Sequence, residues 1–233
     1  DAALLLSNKA LRPFASKLLF GLPSATHPAD AKLQVTGNPI RKDICELPAP
    51  ELRYVGRQGA LKILIVGGSL GARVLNDCLP QALAMIPAAQ RPVVTHQSGK
   101  QNIEALRDNY AKAGVDAEVL DFIDDMPRRY AEADLVICRA GAITVSELTA
   151  AGVASILVPF MASSTSHQKE NAVWMEKQGA AIYLPQAELN PAKLAAQLQA
   201  LNRDQCLTMA KHAYASGQRD ASKNIAIILE ALV

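Results

Sequence analysis

Four clusters in this 233-residue sequence have residue types and spacing suited to chemistry. The first is Gly67-Gly68-Ser69-Leu70-Gly71, between the apolar run 62–66 and a helix-like pattern. A glycine turn of this kind sets backbone N–H groups and a helix N-terminus against a phosphate. It is not the dinucleotide fingerprint: counting G-x-G-x-x-G from Gly67 puts Ser69 and Ala72 in the second and third glycine slots. No Gly-Lys-Ser/Thr follows, so it is not a P-loop either. A bare strand-to-helix turn can use glycine for backbone reasons alone, but three glycines around Ser69 exceed what such a turn requires.

The second cluster is Asp121-Phe122-Ile123-Asp124-Asp125-Met126. Asp124 is expected as an N-cap and Asp125 as a favourable first-turn charge, which leaves no case for a D-x-D metal site. Phe122 and Ile123 are then left at a strand end, where they could form a shelf for a flat ring. In the third cluster, 139–147, two readings stand side by side. Thr144-x-x-Glu147 matches a capping box. Alternatively, Glu147 accepts hydrogen bonds from a vicinal diol such as a ribose, as an acid does in dinucleotide folds. The fourth cluster, His167-Gln168-x-x-Asn171, opens a helix after a Ser/Thr-rich loop, where such residues are either plain surface or ligand contacts. His167 has no second ligand at metal spacing. His96 and His212 lie near no nucleophile pattern, so a catalytic triad is unsupported.

The elements that must position these clusters alternate from residue 61 onward. Apolar runs at 62–66, 92–96, 118–122, 135–138, 155–158 and 181–184 read as strands, the first five as parallel strands buried on both faces. Helical patterns cover 72–86, 101–113, 126–132, 145–151 and 168–178, then 191–201, 203–216 and 221–232. Pro80 should kink the first of these. Six strands with intervening helices predict a Rossmann-like, doubly wound α/β domain whose ligand lies beyond the strands' C-terminal ends. The first sixty residues do not share the repeat. Short strands are expected at 16–22 and 34–36, and 49–60 reads as a connector.

Net charge is +2, from 24 basic and 22 acidic residues, and aromatics make up 4%. Neither figure favours nucleic acid as a partner. The cysteines, Cys45, Cys78, Cys138 and Cys206, are widely spaced, which suits buried free thiols in a reducing compartment. No apolar run approaches the ~18 residues of a membrane span. The start, with no Met, is no signal peptide, and the chain is expected to be part of a longer one.

Several stretches occur together and in order: Gly37-Asn38-Pro39-Ile40-Arg41, Val66-Gly67-Gly68-Ser69-Leu70-Gly71-Ala72, His96-Gln97-Ser98-Gly99, Phe122-Ile123-Asp124-Asp125-Met126, 138–147 and His167-Gln168-x-x-Asn171-Ala172. Together they resemble the MurG family of glycosyltransferases, which move N-acetylglucosamine from UDP onto the lipid-linked muramoyl-pentapeptide of cell-wall synthesis. The resemblance implies the two-domain GT-B architecture, with the donor held by the C-terminal half. On that pattern 1–30 is a remnant of the N-terminal acceptor domain, and 31–60 holds the interdomain linker and first strand region. Residues 61–233 form the UDP-sugar donor-binding domain, whose final helix packs back on the N-terminal domain.

The resemblance also assigns roles. Gly68, Ser69, Leu70 and Gly71 face the donor diphosphate, and Arg41 closes on it from the linker. Phe122, Ile123 and Met126 border uracil, with the Ile123 main chain bonding the base. Ala142, Ile143, Thr144, Val145 and Ser146 form the phosphate and ribose loop, and Glu147 takes the ribose hydroxyls. His167 and Gln168 reach the sugar. The chain departs from the family at Ser163-Ser164-Thr165-Ser166, where many members carry acids, and near Met161-Ala162.

The implied reaction is a single inverting displacement, with no cofactor and no metal. No catalytic residue is expected in this chain: the base, the lipid-linked acceptor and the membrane surface all belong to the N-terminal domain. The implied location is peripheral, on the cytoplasmic face of a bacterial inner membrane, with this piece itself soluble. The alternatives are another UDP-sugar GT-B enzyme (a diacylglycerol sugar transferase or a UDP-N-acetylglucosamine epimerase) and a nucleotide-binding module without turnover. A dinucleotide-binding domain is disfavoured by the failed fingerprint.

Overall fold

The structure, a computed structural model, describes residues 1–2, 6–23, 30–68, 71–160 and 167–232. The chain enters through helix α1 (Leu6–Leu11). Two short strands follow, β1 (Leu18–Phe20) and β2 (Leu33–Val35), paired in parallel with Leu18 opposite Leu33. Two single-turn helices, α2 (Lys42–Cys45) and α3 (Pro50–Arg53), then lead to the main sheet. The second of these falls in the 49–60 segment expected to be a plain connector. Pro50 supplies the fixed φ that suits a first helical position, so even a polar segment winds one turn there.

The main body alternates strands and helices. Its elements are β3 (Lys62–Val66), α4 (Arg73–Ala84), β4 (Val93–Gln97), α5 (Ile103–Ala113), β5 (Glu118–Leu120), α6 (Met126–Glu132), β6 (Leu135–Cys138), α7 (Ala142–Ala151), β7 (Ser155–Leu157), α8 (His167–Lys177) and β8 (Ala181–Tyr183). Helices α9 (Pro191–Ala200), α10 (Arg203–Ser216) and α11 (Ala221–Glu230) close the chain. The six strands are parallel, in the order β5-β4-β3-β6-β7-β8. The order reverses direction at β3, so its C-terminal end opens on the crevice where doubly wound folds bind ligands.

Strand alternation sends side chains into two cores. Ile63, Ile65, Leu135, Ile137 and Ile156 pack with Leu75, Leu79 and Leu83 of α4 and Leu194 of α9. Leu64, Val136, Cys138 and Leu157 pack on the other face with Val145 and Leu148 of α7 and Met175 of α8. Both faces are therefore buried, which is why these strands read as nearly unbroken apolar runs. Helix α4 continues through Pro80. Proline has no N–H for the Asn76 carbonyl, and the Asn109 side chain donates to that oxygen instead, at 3.3 Å. Cys78, Cys138 and Cys206 are buried free thiols as expected, whereas Cys45 is partly exposed.

One buried carboxylate fastens the entering segment to the sheet. Asp134, just before β6, has a side chain 1% exposed. It pairs with Arg57 at 2.6 Å and Arg203 of α10 at 3.3 Å, and accepts the Lys62 N–H at 2.9 Å. Its own carbonyl accepts from Tyr54 Oη at 3.0 Å. Breaking a buried pair by removing one charge leaves the other charges unmatched. Asp134→Asn is therefore expected to lower unfolding stability by about 3 kcal/mol in urea denaturation. A loss below about 1 kcal/mol, the size of an exposed pair, would contradict this reading of the clamp.

Candidate functional site

The glycine turn rises from the end of β3, between β4 and β6. Gly67 donates to the Gln97 carbonyl at 3.3 Å, and Gly71 N–H closes a turn on the Gly68 carbonyl at 2.9 Å. Gly68 and Gly71 have φ of 82° and 75°, the left-handed region that a side chain disfavours. A Cβ on Gly71 would also collide with the Ser98 carbonyl oxygen. These glycines are needed by the backbone, and Gly68 serves by conformation, since its N–H is taken by Gln97 Oε1 at 3.1 Å. Ser69 and Leu70, expected at the diphosphate, lie outside the described residues.

Across the crevice, α7 begins at Ala142 rather than at 145. Gly141 is its N-cap and offers no side-chain cap. This removes one of the two readings of Thr144-x-x-Glu147. Thr144 is already helical, so the capping box does not form. Ala142, Ile143 and Thr144 occupy the first turn, where helix N–H groups lack intrahelical partners and the helix dipole is positive. Ile143 is exposed, while Val145 is fully buried and its N–H bonds the Gly141 carbonyl at 2.9 Å. Ser146 is buried too, its Oγ accepting from Asn38 Nδ2 at 2.9 Å. These last two residues face the core and Asn38, in the segment before α2.

Glu147 stands one turn into the helix, half-buried, and accepts from Tyr130 Oη at 3.0 Å. Burial pushes its carboxyl above the ordinary glutamate value, while the Tyr130 hydrogen bond and the Arg41 charge pull it down. Arg41 is the N-cap residue of α2, half-exposed and 3.9 Å from Asp43. Its influence on Glu147 puts the Arg41 cation and the helix carboxylate in one neighbourhood. Sequence reasoning missed Tyr130, which reads as an ordinary helix residue. It also passed over Gln97 as an active part of the turn, although Gln97 lies inside the noted 96–99 stretch.

On the far side of the turn, Phe122 is 51% exposed and Ile123 only 6%. Of the expected shelf, only the Phe122 side chain offers open apolar surface, and Ile123 packs into the core. Met126, partly buried, opens α6. The N-cap there is Asp125, not Asp124, and it makes no capping bond. Its carboxylate lies 3.4 Å from Arg129, a stronger partner than the backbone, and Arg129 also pairs with Glu118. His167 and Gln168 open α8, and Gln168 Oε1 accepts the Phe160 N–H at 2.9 Å. Asn171 is wholly buried and donates to the Ala140 carbonyl at 2.9 Å, so it braces the loop before α7. Residues 161–166, including the Ser163–Ser166 departure, lie outside the described residues. His96 is buried on Tyr110 Oη at 2.9 Å, and burial depresses its pKa to about 3, which keeps it neutral and structural.

A glycine turn, an uncapped helix start and a half-buried carboxylate lie at the switch point of a parallel sheet, where doubly wound α/β domains bind their ligands. The profile of the glycosyltransferase family 28 C-terminal domain matches residues 62–225, and the chain belongs to that family. It is 67% identical over 233 residues to the UDP-N-acetylglucosamine–N-acetylmuramyl-(pentapeptide) pyrophosphoryl-undecaprenol N-acetylglucosamine transferase of Janthinobacterium sp. (strain Marseille), and 65% identical to that of Herminiimonas arsenicoxydans. All of this chain is covered in both matches, and it spans 65% of the length of each relative. The crystal structure of Acinetobacter baumannii MurG superposes with a TM-score of 0.88 at 35% identity, over 99% of this chain and 65% of that one. The calicheamicin glycosyltransferase CalG4 shares the fold alone, at a TM-score of 0.58 and 20% identity over 94% of this chain and 55% of that one. The expected α/β, GT-B-type domain with six parallel strands is what the chain forms.

The raised Glu147 pKa gives a signed test. The folded state holds this proton more tightly than the unfolded chain, so folding stability falls as pH rises from the ordinary value of 4.5 to the folded one. Glu147→Gln should abolish that part of the decline and melt no lower than the parent at pH 7. It should bind UDP about tenfold or more weakly, with pyrophosphate less affected, because a charged hydrogen bond is worth roughly 1.5–3 kcal/mol. Lowered melting temperature with unchanged UDP affinity would make Glu147 a structural residue.

Proposed function

We propose that this chain is the donor-binding part of an inverting N-acetylglucosaminyltransferase. The donor is UDP-N-acetylglucosamine and the acceptor a lipid-linked muramoyl-pentapeptide, as in the relatives' names. The observation that carries the reading is Glu147, half-buried one turn above the uncapped start of α7, bonded to Tyr130 and within the influence of the Arg41 charge. In this reading the diphosphate lies between the first-turn N–H groups of Ala142, Ile143 and Thr144 and the turn around Ser69 and Leu70. Arg41 reaches it from the linker. Glu147 holds the ribose hydroxyls, and uracil lies against Phe122 and the Ile123 main chain, near Met126. His167 and Gln168 meet the sugar.

The chemistry follows from charge. As the sugar–phosphate bond breaks, negative charge grows on UDP, and fixed helix-end dipoles and a guanidinium stabilise it without reorganising. An acceptor hydroxyl attacks the anomeric carbon from the opposite face and inverts it. The base and the acceptor surface belong to the third of the relatives' length that this chain does not span. On that division 1–30 belongs with the acceptor domain, 31–60 is linker, and 61–233 holds the donor. No helix among the described residues is long and apolar enough to cross a membrane, which fits peripheral attachment of the whole enzyme at the inner membrane's cytoplasmic face.

Calorimetry on the 233-residue chain tests the donor assignment. UDP and UDP-N-acetylglucosamine should bind and NAD should not; affinity for NAD with none for UDP would overturn the assignment. Arg41→Lys should weaken UDP several-fold and leave uridine unchanged, because a point charge cannot reproduce a planar fork on phosphate oxygens. Equal loss for both would make Arg41 structural. With radiolabelled donor and lipid-linked acceptor, this chain alone should not transfer sugar. Turnover within about tenfold of the longer enzyme would place the base in this chain.

A further inference from the structure

Gln97, the last residue of β4, is 4% exposed, and its side-chain amide is fully committed. Oε1 accepts the Gly68 N–H at 3.1 Å, and Nε2 donates to the Gly68 carbonyl at 3.1 Å. The same nitrogen donates its second hydrogen to the Asp121 carbonyl at 3.0 Å. One side chain thus joins two loops that rise from different strands. One is the glycine turn after β3; the other is the Asp121-Phe122-Ile123 segment after β5. Between them runs β4, so no backbone ladder connects these loops beyond the strand ends. Gly68, held at φ 82°, also bears the turn-closing bond from Gly71 on the same carbonyl. Asp121 in turn holds the Phe122 N–H through Oδ1 at 2.8 Å.

We infer that Gln97 is a positioning residue that couples the diphosphate half of the donor site to its base half. The inference rests on the donor-site reading above and adds a residue that touches neither the phosphate nor the base. With both loops fixed relative to one another, a nucleotide that spans them meets a preformed site. Ordering the loops separately would cost affinity at each end. Glutamine fits this task because it supplies one acceptor and two donors from a single planar group. A glutamate supplies only acceptors when ionised and would face two carbonyl oxygens.

The test uses the whole 233-residue chain with uridine, pyrophosphate and UDP as separate probes. Gln97→Met keeps the side chain's length and loses all three hydrogen bonds. Uridine and pyrophosphate should each weaken about three- to tenfold, and UDP by more than either, at roughly one net hydrogen bond's worth per loop. Gln97→Glu guards against a Met variant that misfolds. Its uridine affinity relative to the parent should be poorest at pH 8 and recover towards pH 5. There a protonated acid regains a donor for one of the two carbonyls, whereas a packing role would show no such recovery. If the parent binds UDP and both variants bind all three probes as it does, the coupling is wrong and the donor site stands. The coupling is equally wrong if uridine is unchanged and pyrophosphate alone weakens, since Gln97 would then serve one loop. A parent that binds no UDP overturns the donor site and this inference together.

Discussion

The constraint on which the rest depends is where β3 stops. It is central in a parallel sheet, with β4 on one side and β6 on the other, and its last residue is Val66. The chain beyond must leave the sheet at the point where strand order reverses, with helices already packed on both faces. Gly67 has no room for a side chain, since a Cβ would lie 2.6 Å from the Ala72 nitrogen. A tight left-handed turn is the exit available, and it leaves the start of α7 open across the crevice. The turn's shape is thus set by the sheet, and the ligand chemistry proposed for it follows from that shape.

Charge at the site is arranged against stability. Glu147 is held partly out of water, where a carboxylate is disfavoured, with only a tyrosine hydroxyl and a nearby arginine to offset the burial. Helix α7 starts on a glycine that cannot cap it. Local rules would put a serine or aspartate at that N-cap. Such departures from the locally best residue are expected at a binding site, and in the proposed donor site an anion and a diol supply the missing partners. Elsewhere the same chain follows the rules closely: Asn202 and Gln205 form a full capping box at α10, whose Arg203 meets Asp134 just before β6, at the other end of the sheet.

Much of this was legible in the sequence because buried parallel strands are nearly pure apolar runs. All six strands of the main sheet lie where those runs are, β3 and β6 residue for residue and the other four with ends shifted by one or two. The start of α7 was not legible. Ala142-Ile143-Thr144 has no distinctive helix-start residue, and the Thr144–Glu147 spacing imitates a cap that tertiary contacts do not permit. Asp124 and Asp125 misled for a related reason: spacing cannot tell which of two adjacent acids Arg129 will draw away. Tyr130 and Gln97 were hidden because their importance is spatial. Each acts on a residue 17 or more positions away, across strands that only folding brings together. Ser69 and Leu70 keep their expected diphosphate role as a proposal.

The most direct test of a nucleotide bridging the glycine turn and α7 is an amide-resolved NMR titration of the chain with UDP. The account predicts that the largest shifts fall on Gly71, on Ala142, Ile143 and Thr144, and on Ile123, with no comparable response to NAD. Shifts gathered instead at the opposite end of the sheet, around the 350 Å³ cavity lined by Arg57, Lys62 and Arg203, would contradict it.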